Sequence, residues 1–100
     1  MGRAYNLRMP AFYCYILRCQ DGSFYTGWTT DPHRRLKEHA AGRGARYTRA
    51  RLPVVLAYVE PQLDRPTAMK RERALKALTR ERKRKLIGLE DASEADETHA

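Results

Sequence analysis

The stretch YCYILRCQDGSFYTGW, residues 13–28, contains two runs of aromatic and β-branched side chains on either side of an Asp-Gly pair. These side chains favour β-strands, and Asp-Gly is a frequent turn sequence between paired strands. The stretch therefore predicts a β-hairpin. Tyr15 lies in its first strand and Tyr25 in its second, so the register of the hairpin determines whether the two rings share a face of the sheet.

Two loop lengths are compatible with the residues between these strands. A two-residue turn of Asp21 and Gly22 pairs Gln20 with Ser23 and puts the two tyrosine rings on opposite faces. A three-residue loop that also includes Gln20, with Gly22 left-handed, pairs Cys19 with Ser23 and puts both rings on one face. The hairpin residues alone leave both registers open.

The residues that follow the hairpin predict a helix. The segment TTDPHRRLKEHAAG, residues 29–42, has a capping residue, Asp31 or Thr30, then a proline in the first turn and a glycine at its end. Leu36 and Ala40 form a thin apolar stripe on this helix, which is expected to face the sheet.

Further segments complete the expected order. A glycine-punctuated basic loop at residues 42–51 leads to a third strand at residues 52–60, whose continuously apolar first half predicts a central position in the sheet. A second helix is predicted from about Asp64, and a last basic helix from a capping Thr79 to about Ile87. This order predicts a single α/β (α+β) domain, with a three-stranded, mainly antiparallel sheet flanked by helices.

Charge is distributed unevenly along the chain. The net charge is +8, but residues 88–100 contain five acidic residues and no Lys or Arg, so residues 1–87 hold twenty basic and seven acidic residues, a net charge of +13. A small domain with this charge is expected to bind a polyanion, or else to be a merely soluble or ribosome-associated basic protein. We expect a flexible extension at residues 1–10, with Met9 as an alternative start, a domain at residues 11–87 and an acidic disordered tail at residues 88–100.

Composition also bears on compartment and on metal chemistry. No apolar run approaches the roughly 20 residues of a membrane-spanning helix, and the N-terminus lacks the apolar core of a signal peptide. These features exclude a membrane protein and predict a cytoplasmic one. Cys14 and Cys19 have no second pair of ligands, so reduced thiols are expected rather than a zinc site or a disulfide scaffold.

Three polar side chains occupy helix positions that invite a chemical interpretation. Glu72 interrupts the apolar stripe of the second helix, on the face that it shares with Ala68, where a carboxylate is costly unless it is paired or bound to a metal. A glutamate at the edge of the stripe, salt-bridged to an arginine, is the plainer interpretation. Arg35 and His39 stand one turn apart on the first helix; pairing of Arg35 with Glu38 and simple placement of His39 at the helix C-terminus are the corresponding alternatives.

The order of these parts resembles the GIY-YIG nuclease family: YCY, then YTG ten residues later, then a helix with RRLKEH, then a lone glutamate on a later helix. The resemblance covers about residues 12–87 and is strongest to the small stand-alone bacterial branch, which is similar to the catalytic domain of structure-selective endonucleases. The family's motif tyrosines fall on Tyr15 and Tyr25, its catalytic arginine on Arg35 and its metal-binding glutamate on Glu72.

Other positions match the family or depart from it. His39 matches a position that is frequently functional, and Tyr47 lies in a segment typical of the small branch. Tyr13 replaces the first motif's glycine, and Thr26 replaces the second motif's isoleucine. Trp28 stands just after the second glycine, where some relatives place a lysine that is thought to assist the base.

The resemblance implies a DNA endonuclease that hydrolyses phosphodiester bonds with one Mg²⁺ or Mn²⁺, with DNA repair as the expected setting. It implies that Glu72 binds the metal and that Arg35 stabilises charge on the phosphate. Tyr15 would accept a proton from water while Tyr25 orients water or phosphate, or the two would exchange roles, with His39 as a second-choice base. A free tyrosine has a pKa near about 10, so nearby cations are expected to lower the Tyr15 pKa.

Two further expectations follow from the resemblance. If both tyrosines serve one site they must share a sheet face, so the three-residue loop is predicted, with Gly22 at positive φ. The expected substrate is branched or distorted DNA, contacted by Arg43, Arg46, Tyr47, Arg49 and Arg51. The alternative is a non-catalytic module of the same fold that binds nucleic acid or a protein partner; a nuclease that works only with a protein partner is a third possibility.

Overall fold

The computed structural model describes residues 11–88, so the predicted N-terminal extension and, apart from Gly88, the predicted acidic tail lie outside the described residues. The strands are β1 (Phe12–Cys19), β2 (Phe24–Thr29) and β3 (Val54–Gln62), and the helices are α1 (Pro32–Ala40), α2 (Arg46–Arg49), α3 (Arg65–Lys76) and α4 (Arg80–Leu86). The strands form one antiparallel sheet in the order β2-β1-β3. The predicted α/β class and three-stranded sheet flanked by helices are therefore confirmed.

The hairpin between β1 and β2 has the three-residue loop. Cys19 N donates to Ser23 O at 2.8 Å, Gly22 N donates to Cys19 O at 2.9 Å, and Gly22 has φ 86°. This is the left-handed conformation that glycine adopts without steric cost. Asp21 Oδ1 accepts hydrogen bonds from Ser23 N and Ser23 Oγ, at 3.0 and 2.6 Å, which holds the loop in this form.

The register puts both tyrosine rings on one face, as predicted. Leu17 pairs with Tyr25 and Tyr15 pairs with Gly27, so these four residues lie on the same side of the sheet. The centroids of the Tyr15 and Tyr25 rings are 6.4 Å apart. A shift of one residue would have separated them completely, because alternate side chains of a strand point to opposite faces.

The central strand is β1, and the prediction that the third strand is central is wrong. The four residues Cys14–Leu17 of β1 are all buried, because helices cover both faces of the sheet at this strand. In β3, by contrast, Val55 and Val59 are 46% and 38% exposed. The apolar run of β3 therefore lies in an edge strand. Proline, which has no backbone N–H group, is tolerated in an edge strand, and Pro61 lies in this one.

Each face of the sheet has its own core cluster. On the face opposite the tyrosines, Cys14 packs with Ala68 and Leu75 of α3, and all three are fully buried. On the tyrosine face, the buried members are Tyr15, Leu17, Cys19 and Val54, with Leu36 of α1 packed against them. The two long helices therefore lie on opposite sides of β1.

Side-chain caps begin the helices where the sequence predicts. Asp31 accepts a hydrogen bond from Arg34 N at 3.1 Å, Asp64 from Thr67 N at 2.8 Å, and Thr79 from Arg82 N at 3.1 Å. The predicted basic loop differs, because it contains the single helical turn α2. Within residues 11–88, no helix has the length and apolar character to cross a membrane.

The buried face of α1 differs from the predicted stripe. Ala40 is exposed, whereas His39 is fully buried beside half-buried Leu36. Positions three and four residues after Leu36 both lie on its side of a helix, so spacing alone does not choose between them. His39 occupies the interior because both of its ring nitrogens find hydrogen-bond partners there.

Candidate active site

Tyr15 lies at the centre of the tyrosine face, where Gly27 leaves room for it. Tyr15 is only 2% exposed, and a Cβ atom added to Gly27 would lie 2.6 Å from its hydroxyl oxygen and 2.8 Å from its Cζ atom. Nonbonded atoms do not approach this closely in packed proteins. The glycine of the YTG motif is therefore required because the Tyr15 hydroxyl lies directly over its backbone.

A chain of hydrogen bonds runs from Tyr15 into the interior. The Tyr15 hydroxyl lies 2.9 Å from His39 Nε2, and His39 Nδ1 lies 2.9 Å from Thr48 Oγ1. Thr48 Oγ1 donates its proton to Ala45 O, also at 2.9 Å, so it can only accept from the imidazole. A contact from Ala45 N to His39 Nδ1, at 3.4 Å, is too long to compete.

These bonds assign the tautomer of His39. The proton is on Nδ1, where it is donated to Thr48, and Nε2 is the unprotonated nitrogen that accepts the Tyr15 hydroxyl proton. Burial lowers the pKa of His39, and the positive charge of Arg35 lowers it further, so the imidazole is neutral at pH 7. Tyr15 is thus hydrogen-bonded to a neutral, buried base.

The residues that support His39 were not predicted from the sequence. Thr48 is fully buried, and a Cβ atom on Gly44 would collide with His39 Nδ1. Both lie in the segment GRGARYTRAR, where the glycines suggested only loop punctuation. Gly44 and Thr48 lie before and within a short helical turn, and this spacing can be read from the sequence. Their contact with His39 depends on how α1 packs.

Tyr25 stands between His39 and Tyr47 in an aromatic cluster. The Tyr25 ring centroid is 5.2 Å from that of His39 and 6.1 Å from that of Tyr47, and the two tyrosine planes are inclined by 28°. The Arg51 guanidinium carbon lies 3.8 Å from the Tyr47 ring centroid, in cation–π geometry. Tyr47, predicted to contact nucleic acid, therefore also supports Tyr25.

Arg51 ties this cluster to the hairpin loop. Its Nε donates to Asp21 Oδ2 at 3.1 Å, and its Nη1 donates to Tyr47 O at 2.9 Å. Two of its guanidinium nitrogens are therefore occupied by intramolecular bonds. The other basic residues predicted to bind nucleic acid in this segment have exposed side chains: Arg43, Arg46 and Arg49.

Arg35 lies beside the Tyr15 hydroxyl and is also paired with Glu38. Arg35 Nη1 is 2.8 Å from Glu38 Oε1, with both side chains about one-third exposed. Burial raises the pKa of Tyr15 to about 12, although the neighbouring Arg35 guanidinium lowers it. Arg35 thus lowers the Tyr15 pKa as expected, but desolvation of the buried hydroxyl outweighs it and the net shift is upward.

Glu72 approaches the same region from α3. Its side chain is 20% exposed, and its Oε2 lies 3.4 Å from Lys76 Nζ, so the predicted alternative of a salt bridge is present with a lysine. After burial, the charge of Glu72 also contributes to the raised pKa values of Tyr15 and Cys14. Although α3 packs on the opposite face of the sheet, the Glu72 carboxylate is thus close enough to Tyr15 for the two groups to interact electrostatically.

The donor set available to a metal ion is small. Within residues 11–88, no group of three or more His, Cys, Asp or Glu side chains is arranged to hold a metal. Cys14 and Cys19 are free, buried thiols, and burial raises the pKa of Cys14 to about 11. Of the residues predicted to form the site, Glu72 is the one carboxylate, so a metal held by it would keep most of its water.

The sequence of this chain is similar to a known family and to several known proteins. The family model described as the GIY-YIG catalytic domain matches residues 11–85. A UPF0213 protein of Streptococcus sanguinis is 56% identical over 71 residues, which cover 71% of this chain and 82% of the relative. A UPF0213 protein of Desulfotalea psychrophila is 52% identical over 79 residues, which cover 78% of this chain and 72% of the relative.

Solved structures show the same likeness. The solution NMR structure of a UPF0213 protein from Bacillus halodurans is 47% identical, with a TM-score of 0.50, and the match covers 78% of this chain and 83% of that one. The solution NMR structure of a protein from E. faecalis is 49% identical, with a TM-score of 0.52, and covers 75% and 80% of the two chains. The fold and the sequence thus point to one group of proteins.

Proposed function

This chain belongs to the GIY-YIG catalytic domain family, a nuclease family that acts on nucleic acid, and we propose that it is a metal-dependent DNA endonuclease. The observation that carries the proposal is the hydrogen-bonded chain from Tyr15 through His39 to Thr48. It gives a water molecule at the Tyr15 hydroxyl a route by which to lose its proton. The charges of Arg35 and Glu72 both influence the Tyr15 hydroxyl, Arg35 more strongly.

Tyr15 acts as a proton relay rather than as a preformed tyrosinate. With a pKa of about 12, only about one molecule in 10⁵ carries a deprotonated Tyr15 at pH 7. In the relay, the attacking water gives a proton to the Tyr15 oxygen while the original Tyr15 proton moves to His39 Nε2. The water oxygen forms the new bond to phosphorus, the bond from phosphorus to the leaving oxygen breaks, and the leaving oxygen takes a proton from solvent water.

His39 is the final acceptor in this scheme, and Thr48 keeps it oriented. The imidazolium retains its Nδ1 proton, which is donated to Thr48, so no rearrangement is needed when Nε2 is protonated. Because burial and Arg35 lower the pKa of His39, the imidazolium is short-lived and returns its proton through Tyr15 after the reaction. Tyr25, stacked between His39 and Tyr47, orients water or phosphate beside the relay.

The phosphate is held by charge. The Arg35 fork exchanges its bond with Glu38 for the phosphate oxygens, where negative charge increases during attack. Glu72 would supply a hard oxygen ligand to Mg²⁺ or Mn²⁺. When bound, the metal would stabilise negative charge on the phosphate and on the leaving oxygen.

The expected substrate is branched or otherwise distorted DNA. Arg43, Arg46 and Arg49 are exposed close to the Tyr25–Tyr47 pair and suit contacts to phosphates, which position the backbone without reading sequence. A protein partner that supplies further DNA contacts is compatible with this arrangement. The competing function is a binding module without catalysis, since Arg35 and Glu72 both have intramolecular partners, Glu38 and Lys76.

Cleavage assays on labelled branched and linear DNA, with Mg²⁺ or Mn²⁺, test the proposal. We expect His39→Gln to reduce the cleavage rate by about 10²–10⁴-fold, the usual contribution of an acid–base group, while DNA binding is retained. Glu72→Gln should also reduce cleavage without loss of DNA binding, because the amide is a weaker ligand for the metal. Lys37→Gln is the matched control, because Lys37 is exposed on α1 and is not one of the residues assigned to the site. Tight binding by the wild type without cleavage under any metal condition would favour the binding module.

A further inference from the structure

A wide, open cavity lies on the surface between α3 and α4, separate from the Tyr15 hydroxyl. Its volume is about 490 Å³, and it is lined by Arg71, Leu78, Arg82, Lys85 and Leu86. Volumes of this size are typical of sites for small ligands. The lining carries three positive charges and no acidic residue, above a floor formed by two leucines.

The cations of this cavity are only partly neutralised within the protein. Arg71 Nε donates to both carboxylate oxygens of Glu60, at 3.0 Å each, which orients its guanidinium at the cavity wall. Within residues 11–88, neither Arg82 nor Lys85 forms an ion pair with a carboxylate. Positive charge gathered in a concave surface without internal partners attracts an anion.

The apolar floor is a fixed part of the molecule. Leu78 and Leu86 pack against the core cluster of Cys14, Ala68 and Leu75, so they do not depend on a ligand for their position. A ligand that matches the cavity has negative charge at one end and a flat apolar surface at the other. A single nucleotide meets both requirements, with its phosphate against the cations and its base or sugar against the leucines.

The position of the cavity relates it to the catalytic region. Arg71 immediately precedes Glu72 on α3, and consecutive residues of an α-helix point about 100° apart. The cavity and the Glu72 carboxylate therefore lie on adjacent sides of the same helix. A DNA strand that passes Glu72 has a short route around α3 into the cavity.

We propose that this cavity binds one unpaired nucleotide of the DNA strand that is held at Tyr15 and Glu72, an inference that rests on the proposed function. In a duplex the bases are paired and stacked and cannot reach the leucines, whereas a displaced or flapped strand can place the base or sugar of one nucleotide on them. The cavity thereby selects DNA with an unpaired strand beside the cleavage site. It is a physical basis for structure selectivity in a small domain.

The test compares two doubly substituted full-length proteins. Arg82→Gln with Lys85→Gln removes two cations from the cavity lining, and Lys70→Gln with Arg73→Gln removes two exposed cations of α3 that do not line it. Binding of a labelled single-stranded oligonucleotide, a flapped duplex and a blunt duplex is measured by fluorescence anisotropy in EDTA, over a series of salt concentrations. EDTA prevents cleavage, so the result does not depend on catalysis.

The cavity variant is expected to lose about tenfold or more in affinity for the single strand and the flapped duplex, but little for the blunt duplex. The slope of log K against log salt for the single strand should fall by about 0.7 for each lost phosphate contact. The control variant should show no such preference among the three DNAs. Equal losses in the two variants, or equal losses for all three DNAs, would overturn the inference.

Two further outcomes separate this inference from its alternatives. If the cavity variant shows the expected binding defect but the wild type cleaves no DNA with any metal, the endonuclease proposal fails and the nucleotide site stands. If an acidic peptide displaces the single strand from the wild type as well as an unlabelled oligonucleotide does, the cavity is a site for an acidic protein segment, and the inference is wrong.

Discussion

Thr48 is the deepest residue of the hydrogen-bond chain that begins at Tyr15, and replacing it by valine tests that chain. The substitution keeps the shape of the side chain and removes one hydroxyl group. That hydroxyl is fully buried, accepts the His39 Nδ1 proton at 2.9 Å and donates to Ala45 O at 2.9 Å. Without it, the buried His39 Nδ1 proton loses its acceptor, whereas Ala45 O keeps the hydrogen bond that it accepts from Arg49 N at 3.1 Å.

The expected cost is large for so small a chemical change. A buried donor left without a partner costs about 1–3 kcal/mol, so the substitution should lower the free energy of unfolding by about that amount. Each kcal/mol corresponds to about 4–8 °C in the melting temperature of a domain of this size. We therefore expect a fall of about 4–24 °C in the melting temperature.

Thermal and urea denaturation, followed by circular dichroism, measure this effect, and Thr48→Ser is the matched control. Serine keeps the hydroxyl and loses one methyl group, which should cost only about 1 kcal/mol. In the cleavage assay the valine variant should also be slower than the serine variant, after correction for the folded fraction, because the His39 tautomer is no longer fixed. Equal stability of the two variants would refute the hydrogen-bond chain and the tautomer derived from it.

The remaining predictions concern packing and protonation. Gly27→Ala should lower the free energy of unfolding by about 1–3 kcal/mol in urea denaturation, since its Cβ would lie 2.6 Å from the Tyr15 hydroxyl, and in a Tyr15→Ala background this cost should disappear. Among residues 11–88, Thr26 Oγ1 is buried without a hydrogen-bond partner, so Thr26→Val should raise the free energy of unfolding by about 1–2 kcal/mol; an unchanged melting temperature would contradict this. Because burial and Arg35 lower the native pKa of His39, the unfolded chain binds a proton there at a higher pH than the native protein does. The free energy of unfolding should therefore fall as pH decreases below about 6.5, by at most about 1.4 kcal/mol per pH unit, and urea denaturation of His39→Gln should lack this part of the slope.

Local chemistry made much of the fold predictable. Asp31, Asp64 and Thr79 cap helices because their side-chain oxygens bond to backbone amides only two or three residues away, and that geometry is available in any fold. The strands of the hairpin were equally readable from their residue types. The register was not, because both loop lengths fit the sequence, and it followed only from the requirement that Tyr15 and Tyr25 share one site.

The structure corrected predictions that depended on long-range packing. The apolar run of β3 is equally compatible with a central strand or an edge strand, and the position is decided by which strand pairs with β1 on each side. Leu36 was expected to share its buried face with Ala40, but His39 is the residue that is buried there. A polar side chain can be buried when hydrogen-bond partners are present in the interior. The partners of His39 are Tyr15 and Thr48, which lie 24 residues before it and nine residues after it.

The sequence by itself determined the elements, their order and the set of chemically suitable side chains, because these depend on residue type and on spacing along one element. Only the tertiary structure decided the surroundings of each side chain. Burial raises the pKa of Tyr15 and lowers that of His39, and the two meet at 2.9 Å, which is why the role that we propose for Tyr15 is a proton relay. The physical reason is that desolvation and hydrogen-bond partners are properties of a position in space, which neighbours distant in the chain create together.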